Sequence, residues 1–473
     1  RVKMELHHSI PGVVTKRYIS ETKGRGVFTE KSFSSGEVIF SEAPLFSVQH
    51  VYNRTTAWTC AHCFRFLGSL NKQLNHYRRV FKLVGDKAGD FIETDQNPYD
   101  YSTGVVSCFA KCGEKYCSEQ CRETAFNRHH QLLCVGGDSD ESSPLYKFKL
   151  HAIDSNELFF LGGQIIASLV SRVMTANDPN LASVICQEFL KQYCHRAWWE
   201  VRIDDNFTEQ EARTWSAESL DLLRKYLYPI LTSHPLTNNQ TFIETLLSME
   251  FYSHILGMLE MNDNSIGFSH PLEKFRRHID DTNKPVPEQF RAHSQNAMKK
   301  VVEALRQYHA ENEDDCDDEE CNHQDHDMAD GNGHAHGHAH GHGHGHSGMD
   351  TEEEEEMREM ESEQKMNDME DDDDEDYDVF PSFDGFGMFG LQAMINHSCE
   401  PNCLVVFDNG SNFAHIKALR DIQAGEELYH SYIDENTPFE EREQELITYG
   451  FKCICRKCVS ERPITNNNNT TQQ

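Results

Sequence analysis

The chain has 473 residues, with 78 Asp or Glu against 44 Lys or Arg and a formal charge of −34. Most of that excess is local, because residues 311–378 carry 29 acidic side chains against only Arg358 and Lys365. The remainder is nearly balanced, which excludes a wholly disordered polyanion and gives no support to direct sequence-specific DNA binding.

The length leaves room for roughly two to four domains. Residues 12–49 read as short strands and turns. Val13-Val14, Val27-Phe28, Val38-Ile39-Phe40 and Leu45-Phe46 are apolar runs cut by Gly24, Gly26, Gly36 and Pro44. Residues 58–134 are dense in cysteine. Between about 156 and 173 the apolar positions Leu158, Phe159, Ile165, Ile166, Leu169 and Val173 fit a helix. Helical periodicity continues near 182–194, 209–232 and 240–261. It returns after Pro287, with Phe290, Met298, Val301, Val302 and Leu305 on one side. Residues 310–378 hold two acidic blocks around a Gly-His/Ala-His repeat, with nine histidines from His323 to His346. Such a segment cannot bury apolar surface and reads as a disordered insertion. Its histidines could hold a metal loosely or serve as a solvated spacer. Order is expected again from Val379-Phe380. Residues 386–433 look strand-rich, with Val405, Val406, Phe407 and Ile416 as core candidates, and a short helix follows near 438–449. The Asn-, Thr- and Gln-rich tail from Thr465 reads as unstructured.

No stretch approaches the ~18 apolar residues of a membrane helix, and the N-terminus lacks a charged-then-apolar signal pattern. No membrane association is expected, and the setting reads as nucleus, cytoplasm or both.

The 16 cysteines are a high number for a soluble intracellular protein, and their spacing suits metal better than disulfides. The first group pairs Cys60 with Cys63, Cys108 with Cys112, Cys117 with Cys121, and His130 with Cys134. Seven thiols and one imidazole make two tetrahedral zinc sites, since each close pair supplies two ligands from one turn. His129 rivals His130, but the His-x3-Cys spacing favours His130. The second group, Cys453, Cys455 and Cys458, is one donor short. Cys399 is the preferred fourth ligand and Cys403 the rival. Cys186 and Cys194 lie in helical patterns and read as core thiols.

Tyr116-Cys117-Ser118-x-x-Cys121 followed by His130-x3-Cys134 resembles a MYND zinc finger. That resemblance implies interleaved sites, Cys60/Cys63/Cys117/Cys121 and Cys108/Cys112/His130/Cys134. Asn396-His397-Ser398-Cys399, Gly425-Glu426-Glu427, Ser431-Tyr432 and the last three cysteines resemble a SET-domain lysine methyltransferase with its post-SET zinc. Lys23-Gly24-Arg25-Gly26-Val27-Phe28 resembles the same family's glycine-rich opening motif. The combination is that of the SET-and-MYND family. Phe64-Arg65-Phe66, Trp198-Trp199 and Ile433-Asp434-Glu435 look most similar to its atypical branch with plant trithorax-related members, which lacks a C-terminal helical-repeat domain. The expected fold is therefore α+β: small SET-domain sheets, a MYND finger, a helical insert and a post-SET zinc site. The boundaries follow as 12–57 and 379–436 for the SET halves and 58–134 for the finger. The insert takes 135–309, the tract 310–378, the post-SET segment 437–464 and the tail 465–473.

The resemblance implies S-adenosylmethionine as cofactor and three zinc ions. Methyl transfer to a lysine amine is an in-line displacement, so donor and amine must be held collinear and water excluded. Lys23, Gly24, Arg25 and Gly26 would approach the cofactor, the glycines because a Cβ would clash. Asn396 offers an amide donor and acceptor to its polar end. By the resemblance, His397 meets the adenine side mostly through backbone, Phe451 stacks on the adenine, and either Asn262 or Asn264 adds a contact from the insert. Tyr432 is the candidate catalytic residue and would orient the amine. An ordinary phenol titrates near ~10 and is not the general base. The implied substrate is a lysine-bearing protein, either a histone tail or a non-histone protein. A proline-containing peptide could dock at the finger, and Trp198-Trp199 could be packing or a substrate cage. A catalytically inactive zinc scaffold in transcriptional regulation is the alternative.

Overall fold

The computed structural model describes residues 9–21, 23–82, 98–99, 101–137, 140–176, 178, 180–201, 207–312 and 379–462. The strands in chain order are β1 (Ser9–Ile10), β2 (Val14–Ser20), β3 (Gly24–Thr29), β4 (Val38–Glu42), β5 (Phe46–Gln49), β6 (Val106–Ser107) and β7 (Lys115–Tyr116). They continue as β8 (Asp263–Phe268), β9 (Phe383–Met388), β10 (Asn396–His397), β11 (Cys403–Val406), β12 (Ala414–Ala418) and β13 (Tyr429–His430).

These short strands form small sheets whose partners lie far apart in sequence. β1, β2 and β3 form an antiparallel sheet, with Val14 opposite Thr29. β4 joins β11 and β12, and β5 joins β9 and β8. β10 and β13 pair in parallel, Asn396 beside Tyr429 and His397 beside His430. An isolated bridge between Phe28 and Glu427 ties the opening hairpin to the C-terminal half. Gly24, where the turn enters β3, takes φ +67, a conformation that costs a residue with a Cβ and leaves glycine unstrained.

Helix Leu158–Thr175 lies in the segment expected as the helical insert. Leu161, Ile165, Ile166 and Val170 are fully buried. By length and composition it could cross a membrane, at 18 residues and mean hydropathy 1.5. The apolar positions over 156–173 mark this helix in the sequence, and Gly162, Gly163, Gln164 and Arg172 keep it from reading as an unbroken apolar stretch. Two thirds of it is buried among its neighbours, as a core helix requires. Helix Glu209–Ser233 packs nearby and begins with a reciprocal cap between Thr208 and Glu211. The expected helix over 240–261 is two helices, Gln240–Leu246 and Met249–Asn262, because Ser248 caps the second through the Phe251 amide. The expected helix to 194 stops at Leu190. Cys186 is a buried thiol within it, but Cys194 lies beyond it on an exposed loop and is not a core thiol. Helix Glu288–Asn312 runs into the first residues of the expected disordered insertion. Residues 313–378 and the tail from Thr465 lie outside the described residues.

Trp198 is fully buried, its indole N–H on Glu260 at 2.9 Å, and Arg213 lies over the Trp199 ring at 4.0 Å. Both indoles are packing residues here. Trp198, through Glu260, and Asn262, through the Cys194 carbonyl, hold the loop 191–197 against helix Met249–Asn262, where Gly257 faces the Arg196 carbonyl. A Cβ at Gly257 would collide with that carbonyl. Gly257→Ala is expected to lower stability by about 1–3 kcal/mol through overpacking. Urea unfolding checks this, and an unchanged midpoint would contradict the close packing.

Candidate active site and metal centres

Three groups of donors come together, with all ligand atoms in each group within 4.8 Å of one another: Cys60, Cys63, Cys117 and Cys121; Cys108, Cys112, His130 and Cys134; and Cys399, Cys453, Cys455 and Cys458. These are the interleaved finger sets and the post-SET set with Cys399 as fourth donor. Local structure explains the geometry. Phe64 takes φ +63 just after the first knuckle. Ser118 caps helix Glu119–Ala125 by accepting the Cys121 amide at 3.1 Å, which turns the Cys121 side chain into the group. A π turn over Phe126–His130 follows, and His130 Nε2 comes within 3.1 Å of Cys108 Sγ. His129 lies outside the group; burial pushes its imidazole down to about 3. Cys403 also stands apart, its Sγ donating to the Tyr429 carbonyl at 3.3 Å.

Sulfur atoms this close destabilise one another as protons are lost unless a cation sits among them. Within each set the thiols are split: hydrogen bonds from Cys117 and Cys399 pull Cys121 and Cys453 below the ordinary thiol range, while Cys117 pushes Cys60 and Cys63, and Cys453 pushes Cys399, above it. All-sulfur and sulfur-plus-imidazole tetrahedra are the donor chemistry of structural zinc, so the residues fit that ion. The guanidinium of the buried Arg442 lies 4.0 Å from Cys458 Sγ and bonds Glu461, adding positive charge beside the post-SET thiolates.

The post-SET group adjoins the paired strands β10 and β13. His397 Nδ1 accepts the Tyr432 amide at 3.0 Å, so Nε2 carries the proton and donates toward Cys399 Sγ at 3.2 Å. The His397 ring is therefore committed within the protein. The Asn396 amide nitrogen donates to the Arg25 carbonyl at 3.0 Å and to Glu427 Oε1 at 2.8 Å. Both amide hydrogens are thus used, and Asn396 offers a guest only its Oδ1 acceptor, not the donor and acceptor together.

The glycines of the opening motif differ from each other. Around Gly24 nothing lies within 4 Å of a built Cβ, whereas at Gly26 that atom would sit 2.6 Å from Glu427 Oε1 and 3.0 Å from Asn396 Nδ2. Gly26 is needed for close approach to this chain's own C-terminal half, and Gly24 for its turn. Lys23 Nζ lies 3.4 Å from the Tyr429 hydroxyl, and Arg25 Nη1 reaches the Lys191 carbonyl at 3.3 Å.

The Tyr432 hydroxyl donates to the Ile395 carbonyl at 2.8 Å, leaving its oxygen as an acceptor. Burial pushes this phenol up, further from a base's range. Around it stand His430, Tyr449 and Phe451 at ring separations of 4.9, 5.1 and 6.3 Å. Phe451 also lies 5.9 Å from the His397 ring. The two asparagines of the insert are bonded internally. Asn262 Nδ2 donates to the Cys194 and Met258 carbonyls, and Asn264 exchanges hydrogen bonds with Gln392 at 2.9 and 3.2 Å. Gln392 also reaches His430 Nε2 at 3.4 Å. The structure thus brings Arg25, Gly26, Asn396, His397, Tyr432 and Phe451 together, with Lys23 joined through Tyr429. Sequence reasoning missed Tyr449, Gln392, His430 and the part played by Glu427. For Glu427 a signal existed in the Gly-Glu-Glu motif; the others carry none.

A family model described as SET domain matches residues 24–433. Over 93% of this chain, histone-lysine N-methyltransferase ATXR2 of Arabidopsis thaliana is 24% identical, with 89% of that protein covered. The protein-lysine N-trimethyltransferase SMYD5 of Mus musculus is 23% identical over 95% of the chain and 87% of its own length. The histone-lysine N-methyltransferase SMYD3 of Mus musculus is 41% identical over 78 residues, 16% of this chain and 18% of that protein.

His430 gives the site a pH signature. Burial pushes its imidazole down to about 4 from an ordinary 6.5. Between those values the unfolded chain binds a proton that the folded chain refuses, so stability is lost as pH falls. The loss from this group is on the order of 2 kcal/mol between pH 7 and pH 5. His430→Asn is expected to flatten the fall by about that amount. Urea midpoints at both pH values check it, and equal losses in wild type and variant would contradict it.

Proposed function

The chain belongs to the SET-domain family, and from that premise we propose that it is an S-adenosylmethionine-dependent protein-lysine N-methyltransferase. The observation that carries this reading is the hydrogen bond between Asn396 and the Arg25 carbonyl, across 371 residues of chain. It joins the opening glycine motif to the wall that holds Tyr432.

When bound, the cofactor supplies a methyl group made electrophilic by its sulfonium. The surroundings of the pocket fit such a guest. Gly24 leaves open space, Asn396 presents Oδ1, and Phe451 offers an aromatic face beside His397. Lys23, Arg25 and Gly26 border it, the His397 backbone lines it, and Asn262 and Asn264 act from the insert by holding the loop at Cys194 and the Gln392 side chain. Tyr432 is the catalytic residue. Its oxygen, with its hydrogen committed to Ile395, accepts from the lysine amine and aligns the amine lone pair. The raised phenol keeps its proton, so Tyr432 orients and does not deprotonate. Tyr449, His430 and Phe451 wall the channel and exclude water. The room they leave sets how many methyl groups an amine can acquire.

The substrate is a protein bearing the target lysine, and the names of the relatives favour either a histone tail or a non-histone protein. Three zinc ions hold the finger and the post-SET segment, each with the four donors described. The finger is the expected dock for a proline-containing peptide, no direct sequence-specific DNA binding is expected of the nearly balanced body, and the relatives' names favour a chromatin role in the nucleus, the cytoplasm or both. The assembled pocket speaks against an inactive scaffold.

Incubation with labelled S-adenosylmethionine and a lysine-rich protein mixture is expected to label protein. Tyr432→Phe and Asn396→Ala should each lower transfer by at least about tenfold, ~1.4 kcal/mol in the barrier. No transfer by wild type, or undiminished transfer by both variants, would contradict the assignment.

A further inference from the structure

The Gly425-Glu426-Glu427 motif does more than turn the chain. Glu427 stands where the two halves of the pocket meet. Its Oε1 accepts Asn396 Nδ2 at 2.8 Å, and its Oε2 accepts the Tyr429 hydroxyl. Its carbonyl takes the Asn402 amide at 2.8 Å, and its backbone bridges Phe28. The carboxylate is half-buried, on the wall shared by Gly26 and Asn396. Both side-chain donors are neutral. Lys23 stops at the Tyr429 oxygen, and among the described residues no cation pairs with Glu427 itself.

A partly buried carboxylate with two neutral donors still has lone pairs directed at something, and a positive guest would offset its desolvation. The neighbouring Asn396 oxygen is an acceptor too, because both hydrogens of that amide are used. Two adjacent acceptors, one of them charged, match a group with several N–H donors and a positive charge. A sulfonium has the charge but no N–H. An amino-acid ammonium has both.

We propose that Glu427, together with Asn396 Oδ1, binds the α-ammonium of the cofactor's amino-acid end. This rests on the methyltransferase reading. It assigns a binding role to a residue of a motif otherwise explained by its turn. It also implies that the demethylated product, which keeps the ammonium, is held by the same contact and competes strongly with fresh cofactor.

Calorimetry on the full chain with S-adenosylhomocysteine and with its des-amino analogue tests the proposal. Zinc content and circular dichroism serve as controls on folding. Wild type is expected to bind the des-amino analogue about ten- to hundredfold more weakly than the parent, as for one charged hydrogen bond. Glu427→Gln should weaken binding of the parent by a similar factor and lose the discrimination. If the Gln variant does not fold, Glu427→Asp takes its place, and a weakened preference for the parent is then expected. Equal binding of the two ligands by wild type would overturn the proposal. So would a folded variant that keeps the full discrimination. A folded wild type that binds neither ligand would instead sink the methyltransferase reading on which the proposal stands.

Discussion

The His397 imidazole bonds in two directions, taking the Tyr432 amide on Nδ1 and facing Cys399 Sγ with Nε2. The backbone on which Tyr432 stands is therefore tied through one ring to the post-SET thiolates. The parallel pairing of β10 with β13 is two residues long and could not persist alone. It is held because Cys399, just beyond β10, shares its ligand group with Cys453, Cys455 and Cys458. A metal there closes the chain between Cys399 and Cys453 and stabilises the strand pair as part of the same unit. Arg442 also meets the group, so a guanidinium and an imidazole both donate toward sulfur.

The other half of the pocket arrives through carbonyl and carboxylate contacts. Asn396 spans from the Arg25 carbonyl to Glu427, and Asn402 bonds both the Glu427 carbonyl and the Tyr429 amide. Gly26 lets these groups approach to a distance that a side chain would forbid. The insert contributes indirectly. Its loop 191–197 is fixed by Trp198 and Asn262 and lends the Arg196 guanidinium to Gly450, between Tyr449 and Phe451. Residues far away in sequence thus pack against the segment that carries Tyr449 and Phe451.

How legible this was depended on the range of each interaction. The cysteine groups could be read because close pairs fall on single turns and thiols at such spacing suit one kind of ion. Their interleaving came from the resemblance alone. The helix starts at Thr208 and Ser248 carry local caps, and the break before Met249 was in principle visible in that serine. The sheets were not legible, since β5, β9 and β8 join segments hundreds of residues apart with no local mark of partnership. The roles of the polar side chains were the least accessible. Asn396 reads as a two-way amide until its hydrogens are traced, and either Asn262 or Asn264 could be chosen until both prove internally bonded. Cys194 looked helical because periodicity does not reveal that the helix ends at Leu190.

The central claim is that the post-SET group holds the transfer site in register through His397. Hydrogen exchange at the Tyr432 amide, followed in the intact protein and after chelation of its zinc, tests this most directly. The account predicts that the amide is protected with metal in place and exchanges much faster once the post-SET ion is removed, while β2 and β3 keep their protection. Unchanged protection at Tyr432 after that ion has left would contradict it.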